Sequence, residues 1–152
     1  MPRRKSAVEK EHFARIPESV MMSEALKTAP HAAFRVLAIL VIGKPRERNG
    51  TMMCTDSYAE KFGMASRETV YRSLRLLEDR GLIVRTRQGM RLRKIPTLWA
   101  VTWWPIHYRD GQPLDYPQPA THAYLKWQSA PSAELHTDGR GTVTPIVGVN
   151  TP

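Results

Sequence analysis

One cysteine, Cys54, stands among 152 residues. No intrachain disulfide can form, and no cysteine cluster can hold a structural zinc. A reducing, cytoplasmic compartment suits such a chain. Long apolar runs are lacking too. The longest, Ala32 to Ile42, is interrupted by Arg35 and falls well short of the roughly 20 residues that span a membrane. Residues 1–12 begin basic but lead into no apolar segment of signal-peptide type. No membrane partner is expected. His12, His31, His107, His122 and His136 are scattered, with no HExxH spacing. A phosphate-cradling glycine loop and a GxSxG motif are also missing. No enzyme activity, cofactor or metal is therefore expected.

Acid is scarce: 14 Asp and Glu stand against 23 Lys and Arg, a formal net charge of +9. Hydrophobic residues make up 41%, enough for a core, so global disorder is excluded. The length suits one domain with a tail. The excess positive charge needs a partner. Nucleic acid leads; an anionic membrane surface or an acidic protein competes.

Proline divides the chain. Seven of twelve prolines fall in the last 48 residues, so the compact domain is expected to end near Trp104. Residues 1–22 read as a lead-in, 23–104 as the domain, 105–127 as a Pro-rich arm with a short aromatic helix, and 128–152 as a disordered tail. Ser23 to Lys27 fits one helical turn. Pro30 opens a core helix, His31 to Ile42, apolar almost all round, ended by Gly43 and Pro45. Asn49-Gly50 is a turn signal. Thr51 to Cys54 suits an edge strand. Thr55 and Ser66 are N-cap candidates for two successive helices. The first runs to Gly63. In the second, Val70, Leu74 and Leu77 form the buried stripe, and Gly81 caps its end. Strands are expected from Leu82 and over Thr97 to Trp103, with Trp99, Val101 and Trp103 on one face.

The stretch TDSYAEKFGMASRETVYRSLRLLEDRGLIVRTRQG carries a resemblance. Within it, SRETVYRSL followed by LEDRGLI resembles the recognition helix and following strand of winged helix-turn-helix proteins. Bacterial regulators and phage or plasmid replication proteins share this pattern. The likeness covers about residues 31–104. It implies an α+β fold with a three-helix core and a small β-hairpin wing.

The chemistry of the residues agrees with it. An α-helix fits the major groove, where its N-terminal residues reach base edges. Ser66, Arg67, Thr69 and Arg72 are the expected base readers, since arginine bonds guanine bidentately and hydroxyls bond a base or a phosphate. Thr55, Ser57, Tyr71 and Arg75 are the expected backbone contacts. Between Ser66 and Lys94 lie nine basic and three acidic residues. Arg85, Arg87, Arg91, Arg93 and Lys94 supply a basic wing suited to phosphates or the minor groove. Arg80, near a helix end, complements the dipole. Most methionines are expected to fill gaps in the core, with Met90 at a loop tip the exception.

The expected partner is double-stranded DNA, read in sequence-specific fashion by a small regulator, a repressor of bacterial, phage or plasmid origin that associates with the nucleoid. Tyr124 and Trp127, one helical turn apart on the arm, form an aromatic face that must bury on its own domain, on a second protomer or on another protein, and they are the candidates for a homodimer or partner contact. Two alternatives remain: a replication or plasmid-maintenance DNA binder, and a winged-helix protein-interaction module that inhibits a nucleoprotein complex.

Overall fold

The computed structural model describes residues 11–130 and the backbone of two short paired strands further on. The described residues form a mixed α+β structure with small two-stranded antiparallel sheets. Among them no helix is long and apolar enough to cross a membrane. The first elements are short: α1 (Glu18–Met21) and α2 (Glu24–Lys27). They bury Val20, Ala25 and Leu26. Val20 belongs to the hydrophobic core, and Ile16 packs against it.

Helix α3 (His31–Val41) starts behind Pro30, whose extended backbone serves as the N-cap. It buries Ala33, Val36, Leu37, Ile39, Leu40 and Val41, so it is the central core helix. Arg35 lies on its exposed side and donates to the Phe62 carbonyl at 2.6 Å. Helix α4 (Asp56–Glu60) is capped by Thr55, whose hydroxyl accepts from the Tyr58 N–H. It ends before Phe62, earlier than expected, and a turn reaches Gly63. Helix α5 (Arg67–Asp79) is capped by Ser66, which accepts from the Thr69 N–H. Val70, Ser73, Leu74 and Leu77 face inward against α3. Leu82 N–H bonds the Leu77 carbonyl and Gly81 sits at φ +73, which gives a left-handed C-terminal cap.

Strand β1 (Ile83–Arg87) pairs antiparallel with β2 (Leu98–Val101). A bulge lies between Arg85 and Arg87. The expected edge strand at Thr51 to Cys54 contracts to a single bridge, Met52 with Trp99. All of β2 is buried, and a second hairpin packs beside β1.

That second hairpin occupies the first part of the expected Pro-rich arm. Strands β3 (Ile106–Arg109) and β4 (Gln112–Gln118) pair antiparallel. Asp110 and Gly111 join them, both at positive φ, the signature of a two-residue type I′ turn. The prolines of β4 are tolerated because it is an edge strand. One side chain locks the two hairpins together. Asn49 is fully buried. Its Nδ2 donates to the carbonyl of Val101, with those of Trp104 and Pro105 also in reach, and its Oδ1 accepts from Val101 N–H. Its backbone carbonyl accepts from His107 and Tyr108. Asn49 is therefore a buried clasp as well as part of a turn, with its polar atoms satisfied. Beside it, Thr86 Oγ1 donates to the Gly50 carbonyl at 2.7 Å. The site of the bulge is thus tied to the same clasp.

The chain then returns to the helices. A 3-10 turn, Ala123–Lys126, lies so close to Gly81 that a Cβ there would come 2.7 Å from Ala123. Tyr124 is buried edge-on against Trp103. Trp127 lies under the Arg80 guanidinium, 4.1 Å from charge to ring centre. Tyr124 and Trp127 thus close their own domain. For Tyr124 this replaces the expected role in a partner or dimer arm, since it has no surface left for another chain; Trp127 stays half-buried. Trp104, next to Trp103, is half-buried. Strands β5 (His136–Thr137) and β6 (Val143–Thr144) pair further along. The rest of the expected tail lies outside the described residues.

Candidate nucleic-acid interface

Helix α5 and the β1–β2 hairpin enclose a groove of about 1000 Å³. Val70, Leu74 and Trp99 give it an apolar floor, and Arg67, Arg75, Arg85 and Arg91 stand along it beside Asp56, Glu68, Glu78 and Asp79. The elements that build it follow from local sequence. Ser66 starts α5, the apolar stripe turns one side to the core, and the opposite side is left to Arg67, Glu68, Tyr71, Arg72 and Arg75.

The expected base readers divide. Arg67 and Arg72 are exposed. Arg67 Nε lies 3.0 Å from an Asp56 carboxylate oxygen, and Arg72 pairs with Glu68 one turn earlier. Such exposed pairs contribute about 0–1 kcal/mol, so a phosphate or a guanine edge can replace the carboxylate at small cost. Ser66 and Thr69 are engaged with each other. Besides the cap, Thr69 Oγ1 donates to Ser66 Oγ at 2.9 Å. Their first task is to hold the helix start.

Among the expected backbone contacts, Tyr71, Arg75 and Ser57 are exposed. Thr55 is half-buried and committed to its cap. Arg75 makes no ion pair among the described residues.

The hairpin also divides, and here two expectations are corrected. Arg87 donates from Nε and Nη2 to the Pro96 carbonyl, which ties the end of β1 to the segment leading into β2. Arg85 donates to Glu78 at 3.0 Å and to Gln88, and lies over the Trp99 ring. Both belong to the hairpin base and hold it in shape. The tip is different. Arg91, Leu92, Arg93 and Lys94 are all exposed. Arg91, Arg93 and Lys94 make no ion pair among the described residues.

Arg80 was expected to complement a helix dipole and does more. Its Nη1 donates to the Ala25 carbonyl at 2.9 Å and contacts the Thr28 hydroxyl at 2.8 Å. Burial draws its guanidinium below the usual value. Cys54, at the groove margin, is buried. Desolvation pushes its thiol up to about 11, and the Asp56 carboxylate adds to the rise. It is protonated and poorly nucleophilic at neutral pH.

Sequence reasoning passed over Leu92. Its signal was present: an apolar residue between two arginines, in a loop bounded by Gly89 and Pro96. Asn49 was noticed only as a turn former. Comparisons with protein-family models, curated proteins and solved structures gave no match.

Proposed function

We propose that this chain binds duplex DNA in the manner of a winged helix-turn-helix protein. The N-terminal half of α5 enters the major groove, and the tip of the β1–β2 hairpin lies along the flanking backbone as the wing. One observation carries the reading. Weakly paired or unpaired cations line both sides of a single groove, Arg67 and Arg75 on the helix and Arg91 on the tip, and Arg72, Arg93 and Lys94 stand exposed on the same two elements. A polyanion satisfies both rims at once. Arg67 and Arg72 are the base readers of this proposal, each worth about 1–3 kcal/mol of discrimination. Arg75 and the tip residues neutralise phosphates.

The role that fits such a domain is that of a small regulator. Bound within a promoter, it represses by excluding polymerase. Bound at an origin array, it serves replication. The location of the preferred sequence separates the two.

The test is selection from a random duplex DNA pool by the purified protein at near-physiological salt. An enriched motif that Arg72→Ala blurs at one position supports the reading. Salt-dependent binding without enrichment makes the protein a non-specific binder. No binding overturns it.

A second reading draws on the four carboxylates that line the groove. Mixed charge over an apolar floor also suits docking of another protein. In that case Arg67→Ala and Arg72→Ala leave DNA affinity unchanged and abolish capture of that protein.

A further inference from the structure

The tip of the β1–β2 hairpin presents a fully exposed leucine, Leu92, between two arginines. It sits in a 3-10 turn, Arg91–Arg93, and Lys94 follows in the left-handed region at φ 54. The turn is closed at its base. Met90 N–H donates to the Ile95 carbonyl at 2.9 Å, and Ile95 N–H returns the bond at 3.0 Å. Within it, Arg93 and Lys94 donate to the carbonyls of Met90 and Arg91. The backbone of the tip is thus largely self-satisfied, and Leu92 projects from a defined turn. Met90, at its base, is also exposed.

Resting on the DNA-binding reading, we infer that Leu92 is a wedge that enters the minor groove and partly unstacks one base step, bending the duplex. Three observations lead there. The side chain is fully exposed, so burial among the described residues does not explain an apolar residue at this point. Its immediate neighbours are cations, and no acidic residue occurs between Arg80 and Asp110, so the surroundings suit a polyanion. The base of the hairpin is braced by Arg87 on Pro96 and by Thr86 on Gly50, so the tip can push against a stack. Apolar wedges of this kind, leucine among them, kink DNA by about 20–90°. Arg91 and Arg93 then hold the phosphates on either side of the opened step.

The experiment uses the full chain and a duplex of about 30 base pairs, with end-attached fluorophores and one 2-aminopurine. Its sequence comes from the pool selection or, failing enrichment, is of mixed composition. Anisotropy reads binding, energy transfer reads bending and 2-aminopurine emission reads unstacking. The wild type is expected to shorten the end-to-end distance and raise the emission at one step. Leu92→Ala is expected to lose both signals and about tenfold in affinity, with an unchanged salt slope and melting temperature. Leu92→Met is expected to keep both. A wild type that binds without bending overturns the wedge and leaves DNA binding standing. Equal bending by Leu92→Ala does the same. Absence of any binding overturns both inferences. A wild type that leaves DNA unbent and shows Leu92-dependent binding to vesicles of anionic phospholipid overturns the wedge and moves the tip to a membrane surface.

Discussion

The β1–β2 hairpin has two halves that look alike in sequence and behave differently. Its base carries Arg85 and Arg87; its tip carries Arg91, Arg93 and Lys94. At the base, each guanidinium already has acceptors: Glu78 and Gln88 for Arg85, the Pro96 carbonyl for Arg87. At the tip, the cations meet only solvent among the described residues. Counting charge along the chain treats these residues as equals. Counting charge that is free to meet a ligand separates them. The base gives the hairpin stiffness, and the tip gives it a surface to bind with.

The largest expected effect lies in the clasp beneath the base. Asn49→Ala leaves the buried N–H and C=O of Val101 without their side-chain partners, and is expected to cost ~3 kcal/mol of stability. Urea unfolding measures it; a loss under 1 kcal/mol would mean that water takes over these bonds. Next comes Arg72→Ala on the helix rim. It is expected to weaken the preferred DNA by ~2 kcal/mol and to blur one base position. Uniform loss on all sequences would reassign Arg72 to the backbone.

The direct comparison of base and tip has a smaller scale. Arg87→Ala is expected to cost ~1 kcal/mol of folding stability and to leave the salt dependence of DNA affinity alone. The pair Arg91→Ala and Arg93→Ala is expected to do the reverse, lowering the slope of log affinity against log salt by ~1.8 with an unchanged melting temperature. Titration at several salt concentrations separates the two halves; equal slopes for both variants would erase the distinction.

The smallest effect concerns Cys54. Its folded pKa is raised, so its thiol favours the native state below the unfolded value near 9, and that contribution is lost as pH climbs towards about 11. Stability of the wild type is expected to fall more than that of Cys54→Ala over this window. Parallel curves from urea unfolding at pH 8, 9 and 10 would show that other groups govern the alkaline limb.

What was legible in the sequence was local. The caps at Thr55 and Ser66 and the glycine end of α5 each depend on residues within a turn of one another. The stripe of Val70, Leu74 and Leu77 follows from helix periodicity, and all three are buried. What escaped was set by distance along the chain. Asn49 reads as a turn residue, yet its side-chain partners lie 52 to 56 positions away. Arg87 reads as free charge because its acceptor, the Pro96 carbonyl, lies across the hairpin loop. Tyr124 and Trp127 read as an aromatic face in need of cover, and nothing near them says that Trp103 and Arg80 supply it. The β3–β4 hairpin is a different case. Asp110-Gly111 is a strong hairpin signal, and the neighbouring prolines drew the reading away from it. At the candidate site, the residue types were legible and their availability was not.

The meeting of Gly81, Arg80 and Trp127 has a consequence for the order of events on the ribosome. Helix α5 and the β1–β2 hairpin are synthesised before Tyr124 and Trp127, which cover Trp103 and stack on Arg80. A nascent chain that has emerged only as far as Trp104 holds most of the core residues but lacks this cover. Both contacts are non-local along the chain, and they can close only once Tyr124 and Trp127 have emerged. During that interval the partly made domain has an open apolar flank, and a trigger for chaperone capture or aggregation. Residues beyond 104 thus govern how safely the domain is made, quite apart from anything it binds once complete.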